Sequence, residues 1–230
     1  MAIHPDGSII VADRENHVIR RVTTDGHVTT IAGIPGQSGF SEGAALNSKF
    51  SQPEDVVFAQ DGTLFVADSG NHQVRHIDTS GNVLTFAGDI LSRFGNTDAV
   101  GVLARFTRPS GMCIDSLGNL YVAESQPGLI RKISPERAVT TLAGKTKEES
   151  GKDFFRPFQI AFDPSGDLYV SDLNLILKIS SLGEISIYAG QPGSRFGDLD
   201  GGADTARLHA PDSLAFDQAG NIFTSSTAVL

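Results

Sequence analysis

Four things are scarce in this sequence. There is one cysteine, Cys113, in 230 residues, and there is no tryptophan. A single thiol excludes an intrachain disulfide framework and leaves the redox compartment open. No run of about 18 apolar residues occurs, so no membrane-spanning helix is expected. The opening "MAIHPDGSII" has no cationic stretch followed by an apolar one, so no signal peptide is visible there. Cations are outnumbered, with 18 Lys and Arg against 27 Asp and Glu and a formal net charge of −9. That balance disfavours a nucleic-acid partner, because affinity for phosphate backbones rests on clustered Lys and Arg.

What is present is repetition. The stretch "VADSGNHQVRHI" (Val66–Ile77) has relatives at "VADRENHVIRRV" (Val11–Val22), "VAESQPGLIRKI" (Val122–Ile133) and the shorter "VSDLNLILKI" (Val170–Ile179). A glycine turn precedes each copy, and a fifth such turn follows the last. The glycines are Gly7, Gly62, Gly118, Gly166 and Gly220, spaced 55, 56, 48 and 54 residues apart. Each copy leads into an apolar run ending in Ala-Gly: "VTTIAG", "VLTFAG", "VTTLAG", "ISIYAG". A Pro and another short apolar run come before the next turn.

Each repeat thus holds four segments of about five residues, rich in Val, Ile, Leu, Phe and Tyr and bounded by turn formers. These are strands in an antiparallel meander. Four-stranded units at this period predict propeller blades, sandwiched between neighbours and apolar on both faces. The fold class expected is all-β, a β-propeller of four-stranded antiparallel blades with about four and a half blades present. The blades fall at about 1–33, 53–88, 109–144 and 157–190, with a partial blade at 211–230. The ring is expected to be incomplete, either as a piece of a longer chain or as a five-bladed ring closed on a two-stranded blade. An open arc would expose apolar blade faces and favour self-association.

The Pro, glycine turn, "VAD", Asn-His and Arg pattern resembles the NHL repeat, a family named for its Asn-His-Leu consensus. Asn16-His17-Val18 and Asn71-His72-Gln73 stand at that motif. The long linkers resemble the NHL subtype found beside thioredoxin-like domains and in large secreted or cell-surface proteins. The resemblance implies a propeller used mostly as a binding platform. Some relatives bind RNA on a basic face, and others on related propellers are metal-dependent lyases or lactonases. The sequence departs from the pattern at Glu124, at Pro127-Gly128 and at Asn174, which has no His beside it.

Asp, Asn, His and Arg so close together suit either chemistry or the punctuation of a hairpin. A carboxylate closing a strand accepts turn N–H groups, and Asn tolerates left-handed backbone. Arg20, Arg75 and Arg131 are placed to pair with Asp13, Asp68 and Glu124 or with carbonyls of a neighbouring blade. A device that recurs in every blade reads as structural, whereas an active site is one constellation. The residues carried forward as a candidate binding set are Asp13, Asn16, His17, Asp68, Asn71, His72 and Arg75. No catalytic residue is assigned. His4, His27, His76 and His209 lack a tight metal-ligand spacing. "GDLDGGAD" (Gly197–Asp204) is acidic enough to raise calcium, but without the EF-hand ligand order.

Three linkers align: "GFSEGAALNSKFSQP", "GNTDAVGVLARFTRP" and "GDLDGGADTARLHAP". Each carries an acid (Glu42, Asp98, Asp200), small residues, a cation (Lys49, Arg105, Arg207), an apolar anchor (Phe50, Phe106, Leu208) and Pro. One or two helical turns are expected here, the acid at the N-terminal end and the cation at the C-terminal end. The fourth linker, containing "KTKEESGKD", is shorter and charged.

Strand direction alternates, so the turns between second and third strands emerge on the same face as the linkers. Lys49, Arg105 and Arg207 join the candidate set on that face. The leading functional expectation is a non-enzymatic scaffold that recognises a protein or peptide there. The alternative is a metal-dependent hydrolase or lyase on the propeller axis. RNA binding is the second alternative, with the linker cations as its only support.

Overall fold

The structure is a computed structural model that describes residues 1–144, 154–180, 182–193 and 196–225. The charged linker 145–153 lies outside the described residues. The chain adopts the β-propeller blade architecture. It divides into two compact units, Met1–Leu120 with Lys132–Thr140 and Tyr121–Arg131 with Thr141–Leu230.

Blade one is β1 (Ala2–Ile3), β2 (Ile9–Asp13), β3 (Val18–Val22) and β4 (Val28–Ala32), paired in that order. A linker strand β5 (Gly43–Ala44) follows. Blade two is then β6 (Pro53–Phe58), β7 (Leu64–Asp68), β8 (Gln73–Ile77) and β9 (Asn82–Ala87). Blade three is β10 (Pro109–Ile114), β11 (Leu120–Glu124), β12 (Leu129–Ile133) and β13 (Val139–Ala143). Blade four is β14 (Pro157–Phe162), β15 (Leu168–Asp172), β16 (Leu175–Ile179) and β17 (Ile185–Ala189). Among the described residues the last sheet, in the stretch expected as a partial blade, holds β18 (Ala215–Phe216) and β19 (Ile222–Phe223).

Every blade is an antiparallel meander, as short loops between neighbouring strands require. In β7 all five residues are buried, the mark of a strand covered on both faces rather than one. The pairs β3·β4, β8·β9 and β16·β17 each carry a register shift, at Ile19/Arg20, Val74/Arg75 and Ile176/Leu177. Such bulges add local twist in the same place in three blades.

Within the first unit one core cluster gathers Ile10, Ile19, Ala32, Val56, Leu64, Val66 and Val83 around Phe50, which is fully buried. Phe50 belongs to the linker, not to a strand, so the apolar anchor read from the sequence plugs the core between two sheets. In the second unit Tyr169, Ile176 and Leu214 form a smaller cluster with Leu208 and Phe216 against it. Burial at about 25 cal/mol per Å² makes such clusters the main stabilising contribution.

Two linkers do make a helical turn, but without the expected charged ends. Ala45–Asn47 and Gly101–Leu103 each make one three-residue 3-10 turn, with no side chain capping either. The linkers are narrow loops closed on themselves. Gly39, Gly95 and Gly197 donate their N–H groups to the carbonyls of Phe50, Phe106 and Leu208. Further in, Ser41 bridges Lys49 and Leu199 bridges Arg207, while Arg105 N donates to Thr97 O at 3.1 Å. The first linker then docks as an extra strand, with β5 paired antiparallel to β9. Glu42, expected at a helix N-terminus, accepts the Thr85 N–H in β9 at 2.7 Å.

Candidate binding face

The turns between β2 and β3 and between β7 and β8 are built alike. Asp13 and Asp68 close the second strand, and Arg14–Asn16 and Ser69–Asn71 form single 3-10 turns. His17 and His72 then take the left-handed conformation at φ 60° and 58° before the third strand begins. Asn71 Nδ2 donates to Asp68 Oδ2 at 2.7 Å, and Arg75 donates to the same carboxylate oxygen at 3.2 Å and to Ser41 O at 3.0 Å. Asn16 and Arg20 make the matching bonds to Asp13 at 3.0 Å. Blade three keeps the ion pair, Arg131 to Glu124 at 2.6 Å, although Pro127-Gly128 replaces Asn-His and the Gln126–Pro127 bond is cis. In blade four Leu173 takes the left-handed position, at φ 57°.

These turns hold the linkers at two points. The incoming linker is held by the carboxylate: Ser51 N–H donates to Asp68 at 2.7 Å, and Phe155 N–H donates to Asp172 at 2.9 Å. The outgoing linker is held by the histidine: Gln52 N–H donates to His17 Nδ1 and Arg108 N–H to His72 Nδ1, both at 3.1 Å. Gln52 and Arg108 precede prolines and sit at φ 49° and 54°. Left-handed backbone is disfavoured for residues of this kind, and the position before proline favours extended backbone. The imidazole bonds offset that cost.

The Ala-Gly that ends each fourth strand completes the turn. A Cβ on Gly33, Gly88, Gly144 or Gly190 would meet the carbonyl oxygen of His17, His72, Gly128 or Asn174 at 2.4–2.9 Å. Glycine is required there by backbone packed against backbone.

Burial decides which of these groups can touch a ligand. Asp68 and Arg75 are fully buried and Asn71 nearly so. Burial pushes the Asp68 carboxyl up to about 6, although Arg75 and Asn71 pull it down, and burial lowers the Arg75 guanidinium. Arg75 also lies 4.6 Å from the Phe40 ring centroid and 5.7 Å from that of Phe50, a second source of stabilisation for a buried cation. His72 is half-buried, and desolvation, aided by Arg108, lowers its pKa. In blade one Asp13 and His17 are half-buried and Asn16 is exposed. The structure thus brings Asp68, Asn71 and Arg75 together in one network and Asp13, Asn16 and Arg20 in another, while His72 and His17 bond the backbone of the next linker.

The linker cations have a common geometry. The stems of Lys49, Arg105 and Arg207 lie across Gly39, Gly95 and Gly197, where an added Cβ would meet them at 3.4, 3.2 and 2.9 Å. Long cationic side chains cover apolar surface in this way while the charged head reaches water. Arg105 Nε is 3.6 Å from Asp89, which also pairs with Arg93.

Sequence reasoning passed over a run of exposed apolar residues on this face. Ile90, Leu91 and Phe94 in the second linker are 50 %, 70 % and 69 % exposed, and the Phe94 ring lies 5.8 Å from the His72 imidazole. A signal for them existed. Ser92-Arg93-Phe94-Gly95 recurs letter for letter as Ser194-Arg195-Phe196-Gly197, and Phe196 is exposed and packed on His209.

No three His, Cys, Asp or Glu side chains converge on a possible metal site among the described residues. No helix among the described residues is long and apolar enough to cross a membrane.

Comparison with known proteins agrees with this geometry. Residues 50–77, the stretch from the Phe50 anchor through the Asp68 turn, match the NHL repeat. The chain carries an NHL repeat there. It is 29% identical over 240 residues to NHL repeat-containing protein 2 of Bos taurus, covering 93% of this chain and 27% of that protein. Its human counterpart is 32% identical over 166 residues, covering 61% and 23%. Human Teneurin-4 is 26% identical, covering 81% of this chain and 7% of that protein. The chain therefore spans about a quarter or less of these relatives' lengths. Among solved structures, a gluconolactonase from Xanthomonas campestris superposes with TM-score 0.64 at 14% identity, covering 97% of this chain and 67% of that one. A streptogramin B lyase superposes with TM-score 0.62 at 11% identity, covering 98% and 67%. At such identities the likeness is one of fold.

Proposed function

We propose that this NHL propeller is a binding scaffold whose linker face recognises a protein or peptide. One observation carries the reading: Ile90, Leu91 and Phe94 stand exposed on a linker pinned at both ends. Gln73 Nε2 bonds Asp89 O at its start, and Arg108 N–H bonds His72 where it enters the next blade. Exposed apolar groups on a loop that costs little to order are what a contact surface needs. Phe and Arg, here Phe94 and Arg93, are also enriched in protein interfaces relative to the rest of the surface.

The Asp-Asn-His-Arg networks serve this function indirectly, as clamps for the loops that carry the contact groups. The linker cations support the loop necks, and the net charge of −9 does not favour a phosphate-backbone ligand. The test is selection from a displayed random-peptide library on the immobilised chain. The reading expects sequences that share an apolar motif and bind at micromolar dissociation constants. Failure to enrich any sequence over a blank support would overturn it.

A further inference from the structure

The first unit contains a cavity of about 710 Å³ that the binding face does not use. It opens at the opposite strand ends, among the turns 59–63, 114–118 and 135–137. Its walls are Phe65, His76, Phe86, Ile114, Leu117 and Pro135. Three of these form an aromatic corner. The Phe65 and Phe86 rings meet edge to face at 4.8 Å, and His76 and Phe86 do so at 5.7 Å. The volume lies within the range of small-molecule sites, about 300–1,000 Å³.

The charged side chains around the cavity are hydrogen-bonded to neutral groups of the chain. Asp61 accepts the Thr63 N–H at 2.9 Å. Asp115 accepts the N–H groups of Leu117 and Asn119 and the Asn119 side-chain amide. Arg137 donates to the carbonyls of Phe86 at 2.7 Å and Thr85 at 3.3 Å. His76 Nδ1 is buried without a hydrogen-bond partner, which suits a neutral ring and not an imidazolium. Burial, aided by Arg137, holds its pKa below the ordinary histidine value. Ring faces and apolar walls make up most of the rest, beside Gln60, Thr63 and Ser116.

We infer that this cavity binds a small, uncharged, planar aromatic molecule. The aromatic corner supplies offset and edge contacts to such a ring. An anionic ligand would meet the Asp61 and Asp115 carboxylates, and a cationic one the Arg137 guanidinium.

The experiment is a fluorescence titration of the whole chain with N-phenyl-1-naphthylamine, an uncharged probe that brightens in apolar sites. Saturable binding of one probe per chain is expected, with shifts in the His76 ring resonances by NMR. Ile114→Trp should fill the cavity and remove the saturable signal. Leu117→Ala, at an exposed position, should weaken binding at least threefold while the circular dichroism stays unchanged. The anionic probe 1-anilinonaphthalene-8-sulfonate should bind at least tenfold more weakly. Binding that never saturates, or an affinity identical in both folded variants, would overturn the site. Equal affinity for the anionic probe would overturn its ligand class.

Discussion

His72 Nδ1 accepts the backbone N–H of Arg108, 36 residues further along the chain. One side chain thereby sets both ends of a connection: its own left-handed backbone starts the third strand of blade two, and its ring fixes the residue that leads into blade three. Two substitutions separate these roles. His72→Ala loses the hydrogen bond, about 0.5–1.5 kcal/mol, and keeps a side chain at positive φ. His72→Gly loses the same bond but relieves backbone strain of about 1–2 kcal/mol. Urea unfolding should therefore rank His72→Ala as the less stable variant, and equal stabilities would deny the strain.

The Ala-Gly motif makes a sharper contrast. Gly81 and Gly88 both sit at positive φ, 81° and 111°. A Cβ on Gly81 meets nothing within 4 Å, whereas one on Gly88 meets His72 O at 2.9 Å. Backbone cannot move aside as a flexible side chain can. Gly88→Ala should cost about 1–3 kcal/mol more than Gly81→Ala, the scale of overpacking a close contact. Thermal melts of the two variants decide it.

The Asp68–Arg75 pair gives a pH dependence of definite sign. The folded Asp68 carboxyl sits near 6, above its unfolded value of 3.8. Its titration contributes stability that is fully present below about pH 4 and lost as pH rises through about 6. Asp68→Asn removes this dependence. The stability difference between variant and parent should shift in the variant's favour as pH goes from 4 to 7. Asp78 runs the other way: bonds from the Asn82 N–H and side chain lower its pKa. Its contribution is present at neutral pH and lost on acidification, so Asp78→Asn should lose least, relative to the parent, at the lowest pH. Denaturant titrations at several pH values test both signs.

Much of this was legible in the sequence because the device repeats. An acid and an arginine seven residues apart, at Asp13/Arg20, Asp68/Arg75 and Glu124/Arg131, flank a turn, and in the first two blades the arginine stands two residues past the acid's cross-strand partner, which is enough to forecast the ion pairs. β4 runs from Val28 to Ala32, the run read from its apolar segment. The charged ends of the linkers were misread because spacing between an acid and a cation looks the same in a helical turn and in a closed loop. The difference lies in the Gly39, Gly95 and Gly197 necks, whose partners are carbonyls and leave no side-chain signature. The same is true of the His17 and His72 clamps, which hold backbone N–H groups. β5 has two small residues, Gly43 and Ala44, and no apolar pattern to announce a strand.

The central claim is that the clamped second linker presents the contact residues of the binding face. The most direct test is calorimetric titration of a library-selected peptide into the parent chain and into Phe94→Ala. Phe94 is mostly exposed, so the variant should fold as the parent does. The account predicts at least a tenfold loss of affinity, about 1.4 kcal/mol. Unchanged affinity in the folded variant would contradict it and move the contact surface elsewhere.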